Sequence, residues 1–129
     1  EEEMPKEHIN PDSLFQLPEV FSQAVKVGNV IYIAGQTGQS ADGSIPSDFA
    51  AQVVKTYENM KTVLASVGAS FDDLVKETIY LTRSEDIPAL MEVRAKYVTK
   101  PAQASTWTVI SALAVPELLI EIEGIAVME

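Results

Sequence analysis

Residues 21–38 read FSQAVKVGNVIYIAGQTG, two β-rich runs on either side of Gly28-Asn29. Gly and Asn tolerate the positive φ that a tight two-residue turn demands, so the stretch predicts a hairpin. Val30, Ile31, Tyr32 and Ile33 carry the β-branched and aromatic bulk that strands favour. Because the apolar run is continuous, it predicts a strand covered on both faces. Upstream, the Pro-punctuated lead-in INPDSLFQLPEV has neither period and reads as loop.

Downstream the period changes. From Ser47 to Val67, Phe49, Val53, Tyr57, Met60 and Leu64 recur every three or four positions and draw one stripe down a helix. Pro46 fits beside its entry, Ser47 suits the N-cap, and Gly68 supplies a left-handed terminator. VKETIYLT at 75–82 alternates as a strand with partly polar sides. A second helix over Ile87 to Val98 gathers Ile87, Leu90, Met91, Arg94, Tyr97 and Val98 on one face, with Lys100-Pro101 stopping it. Strands at Ala104 to Ser111 and Leu118 to Met128 flank a turn at Pro116. The order ββαβαββ predicts an α+β fold, a mixed sheet with two helices on one face. Nothing in the chain remains to cover the other face, so self-association is expected.

Bulk properties narrow the function. At 129 residues and 47% apolar, the chain predicts a single domain over 8–129 behind an acidic, disordered tail at 1–7. A net charge of −10 opposes phosphate backbones, so no nucleic-acid partner is expected. With no cysteine, disulfides, thiolate metal sites and a Cys nucleophile are excluded, which fits a cytoplasmic protein. No run approaches the ~20 apolar residues of a membrane helix, and the acidic start is unlike a signal or transit peptide.

Three segments carry a resemblance to a known family. FSQAVKVGNVIYIAGQTG is similar to its "YSQAV…GQ" opening, NMKTVLASVGASFDDLVKETIYLT (59–82) to its central helix, turn and strand, and PELLIEIEGIAV (116–127) to its closing "EIEaiA" strand. On these the chain resembles the YjgF/RidA reactive intermediate deaminases, historically labelled L-PSP endoribonucleases. The resemblance implies a chorismate-mutase-like fold and a homotrimer whose sheets form a central β-barrel, with a small-molecule cavity at each subunit interface. Active members hydrolyse enamines and imines such as 2-aminoacrylate to 2-keto acids and ammonia, with no metal and no cofactor.

The family's "PARS" arginine grips the substrate carboxylate, a task suited to a planar, permanently charged fork. Here the stretch is PAQAST: Gln103 aligns if the proline is matched, Ser105 if the strand is counted back from Leu113. The glutamate that orients water in the family is matched by Glu121, the expected catalytic residue. Beside the retained Gly35 and Gln36, the family's tyrosine, serine and asparagine are matched by Phe21, Ala34 and Met91. A pocket so relined is expected to bind a small carbonyl-bearing or uncharged metabolite without standard deamination. The alternatives are an imine or enamine hydrolase of different substrate, with Glu121 positioning water and Thr106, Thr108 or backbone donors stabilising charge, and a regulatory or structural partner protein. Ribonuclease activity sits poorly with the charge.

Several residues have plainer readings. Glu121 and Glu123 share a strand face about 7 Å apart, as paired or as merely solvated acids. Arg94 either returns a guanidinium to the pocket or lays its stem on apolar surface and finds a carboxylate at the interface. Trp107 lines the cavity or packs in the core or interface. Arg83 reads as a surface ion pair, GQTGQSADGS (35–44) as a connection lacking P-loop spacing, and His8 as isolated.

Overall fold

A computed structural model describes residues 5–129. Its strands are β1 (Lys6–Ile9), β2 (Ala24–Val27), β3 (Val30–Gln36), β4 (Leu74–Leu81), β5 (Ala104–Val109) and β6 (Ile120–Val127). Helix α1 (Phe49–Ala65) follows β3, and α2 (Ile87–Arg94) links β4 to β5. All six strands join one sheet in the order β1-β2-β3-β6-β4-β5, antiparallel except for β4 with β5. The α+β architecture with a mixed sheet agrees with the sequence. Among the described residues, no helix is long and apolar enough to cross a membrane.

The hairpin forms as the sequence indicates. Val27 pairs with Val30 across Gly28-Asn29, and of the two turn residues only Gly28 takes a positive φ, 59°, as a type II′ turn requires. Asn29 then ties the hairpin to the chain end: its side chain donates to the Met128 carbonyl at 2.8 Å, and Met128 N–H returns to the Asn29 carbonyl.

Strand β3 is covered on one face only, contrary to its continuous apolar run. Ile31 and Ile33 are buried, whereas Tyr32 is 51% exposed. The covered face packs Ile31, Ile33, Ile79, Leu81, Ile120 and Ile122 against Val53, Tyr57, Met60, Leu64 and Leu90 of the helices. Directly paired residues share a face, so Val25, Tyr32 and Ile125 form a row on the uncovered side, continued by Thr78 with Glu123 and Tyr80 with Glu121.

Element ends depart from the sequence reading for identifiable reasons. Asp48, rather than Ser47, caps α1, its carboxylate accepting from Ala51 N–H at 3.0 Å. Gly68 closes that helix with φ 78°. Helix α2 stops at Arg94, short of Val98, as its last turn tightens and Tyr97 and Val98 both donate to the Arg94 carbonyl. Tyr97 nonetheless keeps its place on the apolar face, stacked on Tyr57 at 5.0 Å. Lys6 and Glu7, expected in a tail, belong to β1 and pair with Val27 and Lys26; residues 1–4 of that tail lie outside the described residues.

Candidate functional site

The pocket arises from an irregularity in the sheet. Ile33 pairs with Gly124 but Gln36 with Ile122, so β3 carries one residue more than β6 across this interval. Such a bulge re-aims side chains. It lays the Gly35 backbone against the Glu121 carboxyl: a Cβ at residue 35 would lie 2.7 Å from Glu121 Cδ and closer still to its Oε2.

Around this contact a cavity of about 370 Å³ opens. Leu14, Phe15, Leu17 and Phe21 come from the lead-in, Ala34 to Thr37 from the bulge and Gln39 just beyond it. Ala114, Val115 and Leu118 come from the loop before β6, and Gln23, Asn59 and Glu121 add polar atoms. Of the residues singled out in the sequence, Phe21, Ala34, Gly35, Gln36 and Glu121 therefore meet in one cavity. Met91, Gln103, Ser105 and Trp107 do not line it. Met91 is 58% exposed on α2, and Trp107 sits over Arg94 with its indole N–H donating to Ser105 Oγ at 2.6 Å. By register, Thr106 and Thr108 share the Glu121 face, but Tyr80 stands between Thr108 and Glu121, a separation of about 10 Å. That is too far to stabilise charge developing beside Glu121.

Loop positions in the cavity are fixed by a polar stripe on α1 that the sequence reading passed over. Gln52 Nε2 donates to the carbonyls of Pro46 and Glu117, while its Oε1 accepts from Leu119 N–H. One turn on, Thr56 bonds back to the Gln52 carbonyl, and Asn59 donates to the carbonyls of Thr37 and Gln39. The available signal was polar residues at 52, 56 and 59, spaced to point inward among apolar ones. Gln36, from the bulge, donates to Gln23 Oε1 and to the Ala34 carbonyl.

Both arginines of the chain are engaged elsewhere. Arg94 bonds the fully buried Glu77 on the helix-covered face, and the Tyr57 hydroxyl donates to the same carboxylate at 3.0 Å. Burial, then the Glu77 charge, hold that hydroxyl protonated far above the usual phenol range. Arg83 forks onto Asp86 at 2.9 and 3.0 Å. Glu77 and Glu121 lie on opposite faces, so Arg94 does not reach the cavity of its own copy. No ion pair or hydrogen bond of the described side chains reaches the Glu121 carboxylate, and no Lys, Arg or His lines the cavity. Among the described residues no cluster of three or more His, Asp or Glu suits a metal.

Burial first, and the neighbouring Glu123 charge second, raise the Glu121 pKa above its ordinary 4.5. Glu123 itself is exposed and accepts from the Tyr80 hydroxyl at 2.9 Å. A carboxyl shifted in this direction is better suited to accept a proton near neutrality than an ordinary one. It also depresses stability once ionised. Folding favours its protonated form, so its stabilising contribution is complete below pH 4.5 and lost as pH rises through the folded pKa. Glu121→Gln is therefore expected to raise the melting temperature at pH 7 and not at pH 4. The gain is under about 1 kcal/mol, since the half-exposed carboxyl is screened by solvent.

Gly35→Ala is expected to fold, because the atoms in its way belong to the flexible end of Glu121. It should displace that carboxyl and abolish ligand-induced shifts of the pocket amides, while unfolding changes by less than about 1 kcal/mol. An unchanged ligand response in NMR titration would contradict the contact.

The Endoribonuclease L-PSP family model matches residues 16–128. A RutC family protein of Pyrococcus abyssi is 37% identical over 115 residues, covering 84% of this chain and 87% of that protein. A 2-iminobutanoate/2-iminopropanoate deaminase of Dermatophagoides farinae is 31% identical over 111 residues, covering 84% and 86%. The crystal structure of RidA from the Antarctic bacterium Psychrobacter sp. PAMC 21119 superposes with a TM-score of 0.89 at 32% identity, covering 95% of this chain and 99% of that one. With a family model spanning most of its length and the same fold in a solved relative, the chain belongs to the YjgF/RidA family, the endoribonuclease L-PSP family.

Proposed function

We propose that this protein binds a small metabolite in a cavity completed between three copies of the chain, and that it does not perform the standard deamination of 2-aminoacrylate. The observation that carries this reading is the absence of any cationic side chain from the part of the lining that one copy supplies, with both guanidiniums held elsewhere. A buried carboxylate ligand without a cation would keep its desolvation cost uncompensated. The uncovered row of Val25, Tyr32 and Ile125 supports a homotrimer closed around a central barrel. In that assembly Met91, Gln103, Ser105 and Trp107 approach the cavity from the adjacent copy. The reading needs no metal or cofactor, and the acidic chain has no nucleic-acid partner and acts in the cytoplasm.

The test is purified protein added to 2-aminoacrylate generated in situ by a threonine dehydratase, with keto-acid release followed against an arginine-bearing relative. The expected rate is the uncatalysed one. A rate matching the relative would refute the reading. The unpartnered Glu121 favours a second reading, hydrolysis of another imine or enamine with this carboxylate positioning water. Under it, Glu121→Gln abolishes turnover while leaving substrate binding measurable.

A further inference from the structure

Both Gln36 amide hydrogens are taken by Gln23 Oε1 and the Ala34 carbonyl. Those of Asn59 are taken by the Thr37 and Gln39 carbonyls, and Gln23 Nε2 donates to the Phe15 carbonyl. An amide nitrogen has only two hydrogens, so Gln36 and Asn59 have none left for a ligand. The same cavity holds the Glu121 carboxylate, an acceptor with no partner among the described residues.

The charges around that acceptor have one sign. Glu123 follows on the same strand face, and the cross-strand neighbour Tyr80 is bonded to Glu123. Among the described residues of one copy no Lys, Arg or His lines the space, and the chain's net charge is −10. Walls of Leu14, Phe15, Phe21, Val115 and Leu118 limit the water that compensates Glu121. A ligand anion here meets like charge, and the side-chain donors left to it are one amide hydrogen each of Gln23 and Gln39 and the Thr37 hydroxyl. A ligand cation meets a carboxylate whose hydration is already reduced, where a charge-assisted hydrogen bond is strongest.

Building on the binding function proposed above, we infer that the cavity selects a ligand in which a protonated nitrogen, an amine or iminium, is joined to a compact apolar body and no carboxylate. The nitrogen donates to Glu121, and the apolar part lies between Phe21 and the loop carrying Val115 and Leu118. The specificity of the site is set by an unpaired acceptor, with Gly35 as the small residue that lets it reach the cavity.

Three probes of nearly one shape test this: benzylamine, benzyl alcohol and benzoate, titrated into the intact protein at pH 7.5 while the amide resonances of Ala34, Gly35 and Gln36 are followed. Benzylamine is expected to bind at least about 10-fold tighter than the alcohol, and benzoate weakest. In Glu121→Gln the advantage of the amine over the alcohol should disappear, while alcohol binding persists and shows the cavity intact. Benzoate binding as tightly as benzylamine, an amine preference that survives in Glu121→Gln, or no response to any probe would each overturn the inference. If benzoate wins and 2-aminoacrylate is not cleared, only this inference fails. If benzoate wins and 2-aminoacrylate is cleared, the proposed function fails with it.

Discussion

Arg94→Met is expected to destabilise the protein by about 3–5 kcal/mol, because it leaves the fully buried Glu77 carboxylate without its cation. Methionine keeps most of the apolar stem, so lost packing contributes little. Tyr57 continues to donate to Glu77, but a single neutral hydroxyl does not balance a desolvated charge. The double variant Glu77→Gln/Arg94→Met should recover a large part of the loss, since it removes both charges and preserves an acceptor for Tyr57. Denaturant unfolding of the four members of this cycle provides the measurement. A loss below about 1 kcal/mol in Arg94→Met would mean that Glu77 finds other compensation, and that Arg94 is free to act elsewhere.

Gln52→Leu should cost about 2–4 kcal/mol and loosen the cavity. Three hydrogen bonds are removed together, and the Glu117 carbonyl and Leu119 N–H, on the loop that carries Leu118 and precedes β6, lose their partner. The apolar replacement matches the burial of the site but offers nothing to these groups. Hydrogen exchange should accelerate at Leu118 and Leu119, while the β2–β3 hairpin retains its protection. Uniform acceleration across the sheet would instead mark Gln52 as a general core residue rather than the anchor of this loop.

What the sequence disclosed follows the range of the forces involved. The hairpin was legible because its determinants lie within a few residues: Gly28 must take the positive φ, and the flanking runs need only each other. The α1 stripe was legible because burial of one face imposes its period. Strand β1 was not, since Lys6, Glu7 and His8 have no apolar alternation and are held as a strand by the edge of β2. Ser47 and Asp48 are both good caps, and only the position of Phe49 in the core chooses between them. At the site, Phe21, Gly35, Gln36 and Glu121 were reached through the family resemblance. Phe15, Val115 and Leu118 were not, because loops converge through the topology of the sheet and leave no local pattern. Arg94 was correctly placed on the apolar face of its helix, yet its partner Glu77 belongs to a strand read as half exposed, and only the packed structure reveals that pairing.

The claim on which this account rests is that no positive side chain stands at Glu121. Crystallographic coordinates of the assembled protein, with every neighbouring copy in place, measure this directly as the distance from the Glu121 carboxylate to the nearest lysine or arginine nitrogen. The account predicts a cavity in which no such nitrogen comes within 4 Å. A lysine or arginine of any copy bonded to Glu121 inside the cavity would contradict it, and would restore to this protein the means of holding a carboxylate.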